Sequence, residues 1–328
     1  MTGRAAAPVR IGVLGCADIA LRRMMPAMAA RPGVELAAIA SRDPARAAEQ
    51  ARRYGCRAAR GYAELLDRDD VDAVYVPLPT GLHAEWVAAA LRAGKHVLAE
   101  KPLTTDVALT ERLLDEAAAR GLVLMENVMF VHHAQHREVR RLLAAGVIGE
   151  PRSLCATFTV PALPEGDIRY RPELGGGALW DVGVYPVRAA LHLFGPELRV
   201  AGAVLTAGAA RRVDTSGAAL LAAPSGATAQ LAFGLEHAYL SSYQVRGSEG
   251  DITVDRAFTP PADHVPVLRV ARGSSVEELR LAVDDQVANA VDAFAAAVRD
   301  GAYQDPDCLR QAQLLKRIRE VSTGSLPG

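Results

Sequence analysis

The fold is decided near the amino terminus by the stretch Gly12-Val13-Leu14-Gly15-Cys16-Ala17-Asp18-Ile19-Ala20. An apolar run of strand length ends within it, and a helical pattern reaching about Ala30 follows. Small residues here allow a tight turn, the approach of a phosphate to the backbone, and close packing of helix on strand. The three positions are Gly15, Ala17 and Ala20, so the motif alone also fits an ordinary strand-to-helix turn.

The pattern around this segment favours the phosphate-binding alternative. Short apolar runs predict strands at Val9–Leu14, Val34–Ala40, Val71–Val76, Val97–Ala99 and Leu122–Met125. After the first helix, periodic segments predict helices at Pro44–Tyr54, His83–Ala93 and Asp106–Arg120. This alternation predicts an α/β Rossmann domain over residues 1–126, with a doubly wound parallel sheet that binds ligands along its carboxyl edge.

The pattern changes after Gly149. A helix is predicted around Gly177–Leu193, and closing helices at Gln286–Arg299 and Asp307–Val321. Between them lie strand-like runs without intervening helices, at Val200–Leu205, Ala218–Ala223, Thr228–Phe233, Tyr239–Arg246, Asp251–Val254 and Val267–Val270. Residues 127–328 are therefore predicted to form an α+β domain with an open, mostly antiparallel sheet, whose terminal helices could pack back on the first domain.

Composition excludes several classes of function. The 328 residues carry a formal net charge of −1 and no block of like charge, which argues against nucleic-acid and membrane partners. The four cysteines are widely spaced, as expected in a reducing compartment. No apolar segment has the length of a secretory signal or a membrane span, so we expect a cytoplasmic protein.

Histidines raise the question of a metal site. His132, His133 and His136 are close in sequence, but no carboxylate or cysteine completes a convincing ligand set. We predict no metal and interpret the three as cleft or surface residues.

The end of the second predicted strand reads Ser41-Arg42-Asp43-Pro44. Enzymes that use NAD usually place a carboxylate here to accept a hydrogen bond from the ribose 2′-hydroxyl. A hydroxyl and a guanidinium suit a 2′-phosphate instead, and Asp43 before a proline is typical of a helix N-cap. We therefore predict NADP(H) as cofactor, the alternative being a merely solvated Arg42.

A lysine follows the fourth predicted strand, in Glu100-Lys101-Pro102. The chain has only three lysines, at positions 95, 101 and 316. Lys101 lies at the ligand-binding edge, where it could bind a cofactor ribose and place positive charge near a developing oxyanion. The alternative is a surface lysine. Pro77 and Leu78, after the third strand, should line the same edge; His83 either joins them or is an ordinary helix residue.

A second candidate group lies in the segment from Gly175 to Tyr185. If the chain is helical from Ala178 onward, Asp181 and Tyr185 are four residues apart and share a face. A tyrosine hydroxyl is a suitable proton donor to an alkoxide, and a nearby ammonium would lower the pKa of such a phenol. A buried aromatic whose hydroxyl bonds a carboxylate explains the spacing equally well.

Together these motifs resemble the glucose–fructose oxidoreductase/inositol dehydrogenase/MocA-like family over essentially the whole chain. The most specific marks are Glu100-Lys101-Pro102 and the segment Gly175-Gly176-Gly177 followed by Asp181 and Tyr185. Some branches of the family carry histidine at the last of these positions. The resemblance implies a dehydrogenase or reductase with NAD(P).

Other stretches resemble one subgroup, the 3-ketoreductases of nucleotide-sugar biosynthesis in the deoxysugar antibiotic pathways of actinomycetes. They include residues 15–20, 70–79, 124–127, 132–136, 166–170 and 236–239. Since this branch uses alanine at position 17, Ala17 does not argue against cofactor binding. The resemblance implies reduction at C3 of a dTDP-linked 3,4-diketo-2,6-dideoxyhexose to dTDP-4-keto-2,6-dideoxyglucose.

The same resemblance implies roles for individual residues. Tyr185 would protonate the oxyanion, Lys101 would polarise the carbonyl or tune Tyr185, and Asp181 would orient the sugar or the lysine. The cofactor would be bound by Gly15, Cys16, Ala17, Asp18, Ile19, Ser41, Arg42, Pro77, Leu78, His83, Glu100 and Lys101. The substrate would be bound by Phe130, Arg169, Tyr170, Trp180, Asp181, Tyr185 and Tyr239, with Arg169 as the best candidate for a pyrophosphate contact.

Two other functions remain open at this point. The chain could be a dehydrogenase for a free sugar, a cyclitol or a dihydrodiol, or a noncatalytic regulator that binds NADP. A regulator needs no proton donor, so Lys101 and Tyr185 together argue against it. The open face of the second sheet makes a homo-oligomer plausible.

Overall fold

The computed structural model describes residues 7–208, 211–301, 303 and 305–323. The chain forms two compact units. The first contains the residues up to Thr104, Ala108–Val128 and Val287–Asp305, and the second contains Thr105–Val107, Met129–Gln286 and the residues from Pro306 onward. The boundary between residues 126 and 127 stays a prediction.

The first unit is built on a parallel sheet of six strands. They are β1 (Val9–Leu14), β2 (Val34–Ala40), β3 (Arg57–Ala59), β4 (Ala73–Val76), β5 (His96–Glu100) and β6 (Leu124–Asn127). The strand order is β3-β2-β1-β4-β5-β6, and every neighbouring pair is parallel. This is the Rossmann order, and the predicted fold class is confirmed. The order reverses between β1 and β4, which is where ligands bind in such sheets.

Helices connect and cover the strands of both units. A π-helical turn at Ala20–Met24 leads into α1 (Met25–Ala29). The others are α2 (Pro44–Tyr54), α3 (Tyr62–Leu66), α4 (His83–Arg92), α5 (Val107–Ala119), α6 (Ala134–Ala144), α7 (Val184–Phe194), α8 (Gln286–Asp300) and α9 (Pro306–Thr323). Short 3₁₀ turns occur at Thr80–Leu82, Met129–His132, Ile168–Tyr170 and Pro172–Leu174.

The second unit contains a sheet of eight strands. They are β7 (Pro151–Thr159), β8 (Arg199–Ala207), β9 (Asp214–Ala222), β10 (Thr228–Gly234), β11 (Leu240–Gly247), β12 (Asp251–Asp255), β13 (Val267–Arg272) and β14 (Ser275–Arg280). Their order is β14-β13-β12-β11-β7-β10-β9-β8. Only β7 and β10 pair in parallel among these neighbours, so the prediction of an open, mostly antiparallel sheet is confirmed.

Three strands of the structure, β3, β7 and β14, were not predicted from the sequence. β3 has three residues and β14 is exposed at nearly every position, so neither presents an apolar run. β7 lies inside the sheet, but its buried residues alternate with serine, cysteine and threonine. This alternation gives the strand a period of two but no continuous apolar run, so the sequence around β7 does not resemble a buried strand.

The helix predicted at Gly177–Leu193 has two parts. It begins as a π-helical turn at Leu179–Gly183 and continues as α7. Pro186 has no N–H to give to the carbonyl four residues earlier, and the first helix of the chain shows the same order, a π-helical turn ahead of Pro26. Four residues are close to one turn in either winding, so Asp181 and Tyr185 still share a face.

Packing explains the two glycines of the opening motif. A Cβ on Gly12 would lie 2.5 Å from Cδ2 of Leu65 in α3, so a larger residue there would push the Leu65 side chain out of its place. Gly15 has a φ of +119°, which L-residues rarely adopt.

Within the described residues, no helix is both long and apolar enough to cross a lipid bilayer.

Candidate functional site

The turn after β1 has the shape that phosphate binding needs. The N–H of Gly15 donates to the carbonyl of Ala40 at the end of β2 (2.8 Å), which fixes the turn at the switch point of the sheet. A Cβ on Gly15 would lie 3.1 Å from Cδ2 of Leu78, so glycine leaves room above the backbone. A helix begins at Asp18, directly after this turn, and the first N–H groups of a helix favour the binding of a phosphate.

The other predicted residues of this edge differ in exposure. Cys16 is buried, and burial raises the pKa of its thiol while the neighbouring Ser41 hydroxyl opposes the rise. Asp18 is exposed and forms an ion pair with Arg22 one turn later. Pro77 is buried and Ile19 half-buried. Backbone atoms, rather than side chains, are therefore what this turn offers to a ligand.

The end of β2 carries an accessible cation. Arg42 is exposed. Asp43 has the predicted role of N-cap, because its Oδ1 accepts from the N–H groups of Ala45 (3.0 Å) and Arg46 (3.3 Å). The Ser41 hydroxyl accepts from the N–H of Asp43 (3.2 Å). The carboxylate is thus engaged by α2, which leaves a guanidinium and a hydroxyl as the groups suited to an anion.

One aromatic residue that the sequence did not indicate, Tyr62, lies beside this cation. The hydroxyl of Tyr62 is 3.7 Å from where a Cβ on Gly15 would lie, and its ring packs edge-on against Trp86 with centroids 4.8 Å apart. Burial raises the pKa of Tyr62, and the charge of Arg42 opposes the rise. Tyr62 follows the undetected strand β3, so no sequence signal placed it at this edge.

Glu100, the last residue of β5, is held by its neighbours in the sheet. Its Oε1 accepts from the hydroxyl of Tyr75 (2.6 Å) and from Nδ2 of Asn127 (2.7 Å). All three side chains are buried. A side chain so engaged shapes the edge of the sheet, so we favour an indirect role for Glu100 in cofactor binding.

The turn that carries Lys101 is held on both sides. The N–H of Leu103 donates to Oε1 of Glu126 (2.9 Å), and the Lys101–Pro102 peptide bond is cis. Nδ1 of His83 is 3.1 Å from the carbonyl oxygen of Pro102, while its Nε2 is 2.7 Å from that of Leu78. Lys101 itself is half-buried.

His83 therefore fits the alternative in which it is an ordinary residue of the helix. It is fully buried, burial lowers the pKa of its imidazole, and both of its nitrogens face backbone carbonyls. It ties the turn after β4 to the turn after β5, so we propose that it supports the cofactor site indirectly, by holding these two turns.

In the second unit, Asp181 is paired with an arginine. Nε of Arg169 donates to Oδ2 of Asp181 (2.7 Å), and its NH1 lies 3.3 Å from Oδ1 of Asp167. The two carboxylates raise the pKa of Arg169 further, so the guanidinium stays charged. Because Arg169 is already neutralised by carboxylates, this pairing favours orientation of Asp181 over the predicted pyrophosphate contact.

Tyr185 lies in an aromatic cluster. Its ring packs against Phe158 (centroids 4.8 Å apart), Phe258 (5.8 Å) and Phe130 (6.1 Å). These rings come from three separate segments and leave the tyrosine side chain only 8% exposed. The packing fixes the ring, which is what a proton donor of defined direction requires.

The remaining predicted substrate contacts differ in exposure. Phe130 and Trp180 are only 1% and 4% exposed, and their contact with substrate stays a prediction. The hydroxyl of Tyr170 accepts from the N–H of Leu163 (3.1 Å), and Arg211 covers its ring at 3.7 Å. Tyr239 is exposed and stays a proposed contact.

Histidines 133 and 136 do not lie at the surface. Both are buried, so the surface alternative of the prediction is wrong for them; His133 is the N-cap of α6, and His136 lies on its buried side. Nε2 of His136 donates to the carbonyl of Ala257 (2.8 Å), so its Nδ1 accepts from the hydroxyl of Tyr243 (2.9 Å). Within the described residues, no group of three or more histidines, cysteines, aspartates or glutamates could hold a metal ion.

This histidine predicts a pH dependence of stability. Burial lowers the pKa of His136 from 6.5 to about 3, with a smaller effect of His192. Between these two pH values the unfolded chain binds a proton at this imidazole and the folded chain does not. The contribution of neutral His136 to the free energy of unfolding is therefore complete above about pH 6.5 and is lost as the pH falls toward 3. We expect His136 to cost about 2 kcal/mol of unfolding free energy between pH 7 and pH 5.

Urea unfolding of the wild type and of His136→Gln at both pH values measures this contribution. The variant is less stable at pH 7 but loses less on acidification, because glutamine takes no proton. Equal losses in the two proteins would show that His136 does not carry the effect.

Comparison with known proteins extends this picture. A family model described as an oxidoreductase family with an NAD-binding Rossmann fold matches residues 9–128, and a GFO/IDH/MocA C-terminal domain model matches residues 136–253. A dTDP-3,4-didehydro-2,6-dideoxy-alpha-D-glucose 3-reductase of Streptomyces violaceoruber is 55% identical and covers 96% of this chain and 95% of that protein. The protein of that name from Actinomadura kijaniata is 54% identical, covering 95% of each.

A solved structure agrees with these relatives. It is a 3-ketoreductase from Actinomadura kijaniata in complex with NADP and TDP-benzene, with a TM-score of 0.93 and 53% identity over 96% of this chain and 98% of that one. Crystal structures of that ketoreductase include a tyrosine-to-phenylalanine variant and a lysine-to-alanine variant.

Proposed function

The chain belongs to the GFO/IDH/MocA family of oxidoreductases, and we propose that it is an NADPH-dependent 3-ketoreductase of a dTDP-linked sugar. It reduces the C3 ketone of a dTDP-3,4-diketo-2,6-dideoxyhexose to give dTDP-4-keto-2,6-dideoxyglucose. The observation that carries this proposal is the likeness to curated 3-reductases over nearly the full length of both chains.

The first unit fits the cofactor. Gly15 leaves its backbone open to a phosphate, and Arg42 together with the neighbouring hydroxyl of Tyr62 would donate hydrogen bonds to the 2′-phosphate. The one carboxylate at the end of β2 that could select a 2′-hydroxyl caps α2 instead. When bound, NADPH supplies the hydride that reduces the ketone.

The chain's own residues supply the rest of the chemistry. Tyr185 donates a proton from its hydroxyl to the C3 oxygen, which becomes an alcohol. The ammonium of Lys101 stabilises the negative charge that develops on that oxygen. Asp181, held by Arg169, accepts a hydrogen bond from the sugar and so sets the orientation of the ketone.

The test is oxidation of NADPH, followed by absorbance, with the labile 3-keto sugar generated in the cuvette by its upstream 2,3-dehydratase. The proposal predicts oxidation that depends on the dTDP-sugar and on both enzymes. Oxidation only with free sugars, cyclitols or dihydrodiols would move the chain elsewhere in its family. Tight NADPH binding without oxidation by any ketone would indicate a regulator.

Removal of the guanidinium at the end of β2 tests the cofactor assignment. We expect Arg42→Ala to raise the dissociation constant of NADPH about 10-fold to 100-fold and to change that of NADH little, because a charge-assisted contact to the 2′-phosphate is lost. Fluorescence titration with each nucleotide measures both constants.

Arg52→Ala is the control, since Arg52 is an exposed arginine in the last turn of α2 and its loss changes the net charge equally. Tyr62→Phe, which removes one hydroxyl, should weaken NADPH binding in the same selective way. An equal effect of Arg42→Ala on NADPH and NADH would contradict the 2′-phosphate assignment.

Two predictions from the sequence are retained here as proposals. We place the protein in the cytoplasm, and we propose a homo-oligomer formed through the open face of the eight-stranded sheet. That face exposes Val204 and Leu220 on neighbouring strands.

A further inference from the structure

The helix that carries Asp181 and Tyr185 begins without a capping side chain of its own. Residues 175–177 are all glycine, and the methyl side chain of Ala178 cannot accept a hydrogen bond. The first backbone N–H groups of a helix need acceptors, which a side chain just before the helix usually supplies. Here the acceptor comes from a distant segment.

That acceptor is Asp214, the first residue of β9. Its Oδ2 accepts from the N–H of Leu179 at 2.6 Å. The carboxyl group is largely buried, which raises its pKa, and the N–H groups of Leu179 and Ala178 oppose the rise. Burial of a carboxylate costs free energy, and hydrogen bonds from backbone N–H groups offset that cost. The Asp214 carboxylate is therefore stable here because it accepts from the start of the helix.

Gly177 is shaped to receive this carboxylate. It has a φ of +124°, and a Cβ on it would lie 2.6 Å from Oδ1 of Asp214. The carbonyl of Gly177 accepts from the N–H of Asp181 at 3.0 Å. Gly177, against which Asp214 packs, is therefore hydrogen-bonded directly to the backbone of Asp181.

The opposite side of the same glycine is held by Arg169. The N–H of Gly177 donates to the carbonyl of Arg169 (2.9 Å), and the side chain of Arg169 donates to Asp181 (2.7 Å). Asp214 and Arg169 thus fix the helix start from two directions. Tyr185 follows Asp181 by one turn, so its place depends on the same start.

We infer that Asp214 is a positioning residue of this site, which fixes the start of the helix and through it the carboxylate of Asp181 and the hydroxyl of Tyr185. The inference rests on the proposed function, because that function assigns Asp181 and Tyr185 their roles in substrate orientation and proton donation. A displacement of about 1 Å in a reacting group can cost on the order of 100-fold in rate.

The experiment compares Asp214→Ala with Asp214→Asn and with Asp284→Ala. Asp284 is a matched control, since its Oδ2 accepts from the N–H of Ala134 at the start of α6, also at 2.6 Å. We expect both alanine variants to lower the Tm. Well below that Tm, Asp214→Ala should lose about 10-fold to 100-fold in kcat with little change in the dissociation constant of NADPH, while Asp284→Ala keeps its kcat.

Asp214→Asn should recover most of the lost kcat, because its amide oxygen can still accept from Leu179. If Asp214→Ala does not fold, Gly177→Ala serves instead, since its Cβ pushes the carboxylate away. A crystal structure of either variant should show Asp181 displaced.

Full kcat in Asp214→Ala or Gly177→Ala, with Asp181 in place, would overturn the inference and leave Asp214 a purely structural residue. Failure of the proposed function looks different: the wild type itself would not turn over the dTDP-sugar. In that case the position of Asp181 in the variant crystal structures still decides the role of Asp214.

Discussion

Tyr185→Phe should lower kcat about 100-fold to 10,000-fold while the dissociation constant of NADPH stays unchanged. The substitution removes one hydroxyl and keeps the ring. The contacts with Phe130, Phe158 and Phe258 use only that ring, so the aromatic packing that supports the fold should be retained. Steady-state kinetics with the dTDP-sugar, fluorescence titration with NADPH and thermal unfolding check these three expectations.

The matched control is Tyr54→Phe. The hydroxyl of Tyr54 in α2 is buried without a hydrogen-bond partner among the described residues, so its loss should leave kcat unchanged. Tyr185→Phe with wild-type turnover would remove Tyr185 from the mechanism. A large loss in both variants would point to a general effect of losing a hydroxyl.

Lys101→Met should lower kcat/KM for the dTDP-sugar about 100-fold to 1,000-fold, the size of effect seen when one group that stabilises an oxyanion is removed. Methionine keeps most of the apolar stem and removes the charge. The turn should survive, because Pro102 and Leu103 keep their backbone hydrogen bonds to His83 and Glu126. Circular dichroism and steady-state kinetics check the two halves of this expectation.

Lys316→Met is the control for loss of a lysine charge, since Lys316 lies on the exposed side of α9 next to Glu320. It should keep full activity. We also expect Lys101→Arg to restore activity only in part, because a planar guanidinium does not replace a compact ammonium. Activity of Lys101→Met within about 3-fold of the wild type would contradict the role of Lys101 as an oxyanion partner.

Much of the first unit could be predicted because its strands are buried on both faces. β1 and β2 have the predicted bounds, since continuous apolar runs are the signature of a parallel sheet between helices. The fold then places the ends of those strands at one edge, so Gly15, Arg42 and Lys101 could be chosen as candidates from topology alone.

The supporting residues could not be predicted, because their partners are distant in sequence. Glu100 bonds Tyr75 and Asn127, which lie 25 and 27 residues away, and Asp214 bonds Leu179 across 35 residues. A single sequence gives periodicity and local spacing but not such pairings. The burial of Phe130 and Trp180 could not be predicted for the same reason, since it depends on segments that are distant in sequence.

The central claim is that this chain reduces the C3 ketone of a dTDP-linked diketo sugar with NADPH. The most direct measurement uses NADPH that carries deuterium at both C4 positions of the dihydronicotinamide and locates the label in the isolated dTDP-sugar by NMR. The claim predicts one deuterium, at C3, in the wild-type product, and at matched short times Lys101→Met and Tyr185→Phe should form far less of this labelled product. Deuterium at another carbon, or an unlabelled sugar despite full NADPH consumption, would contradict it.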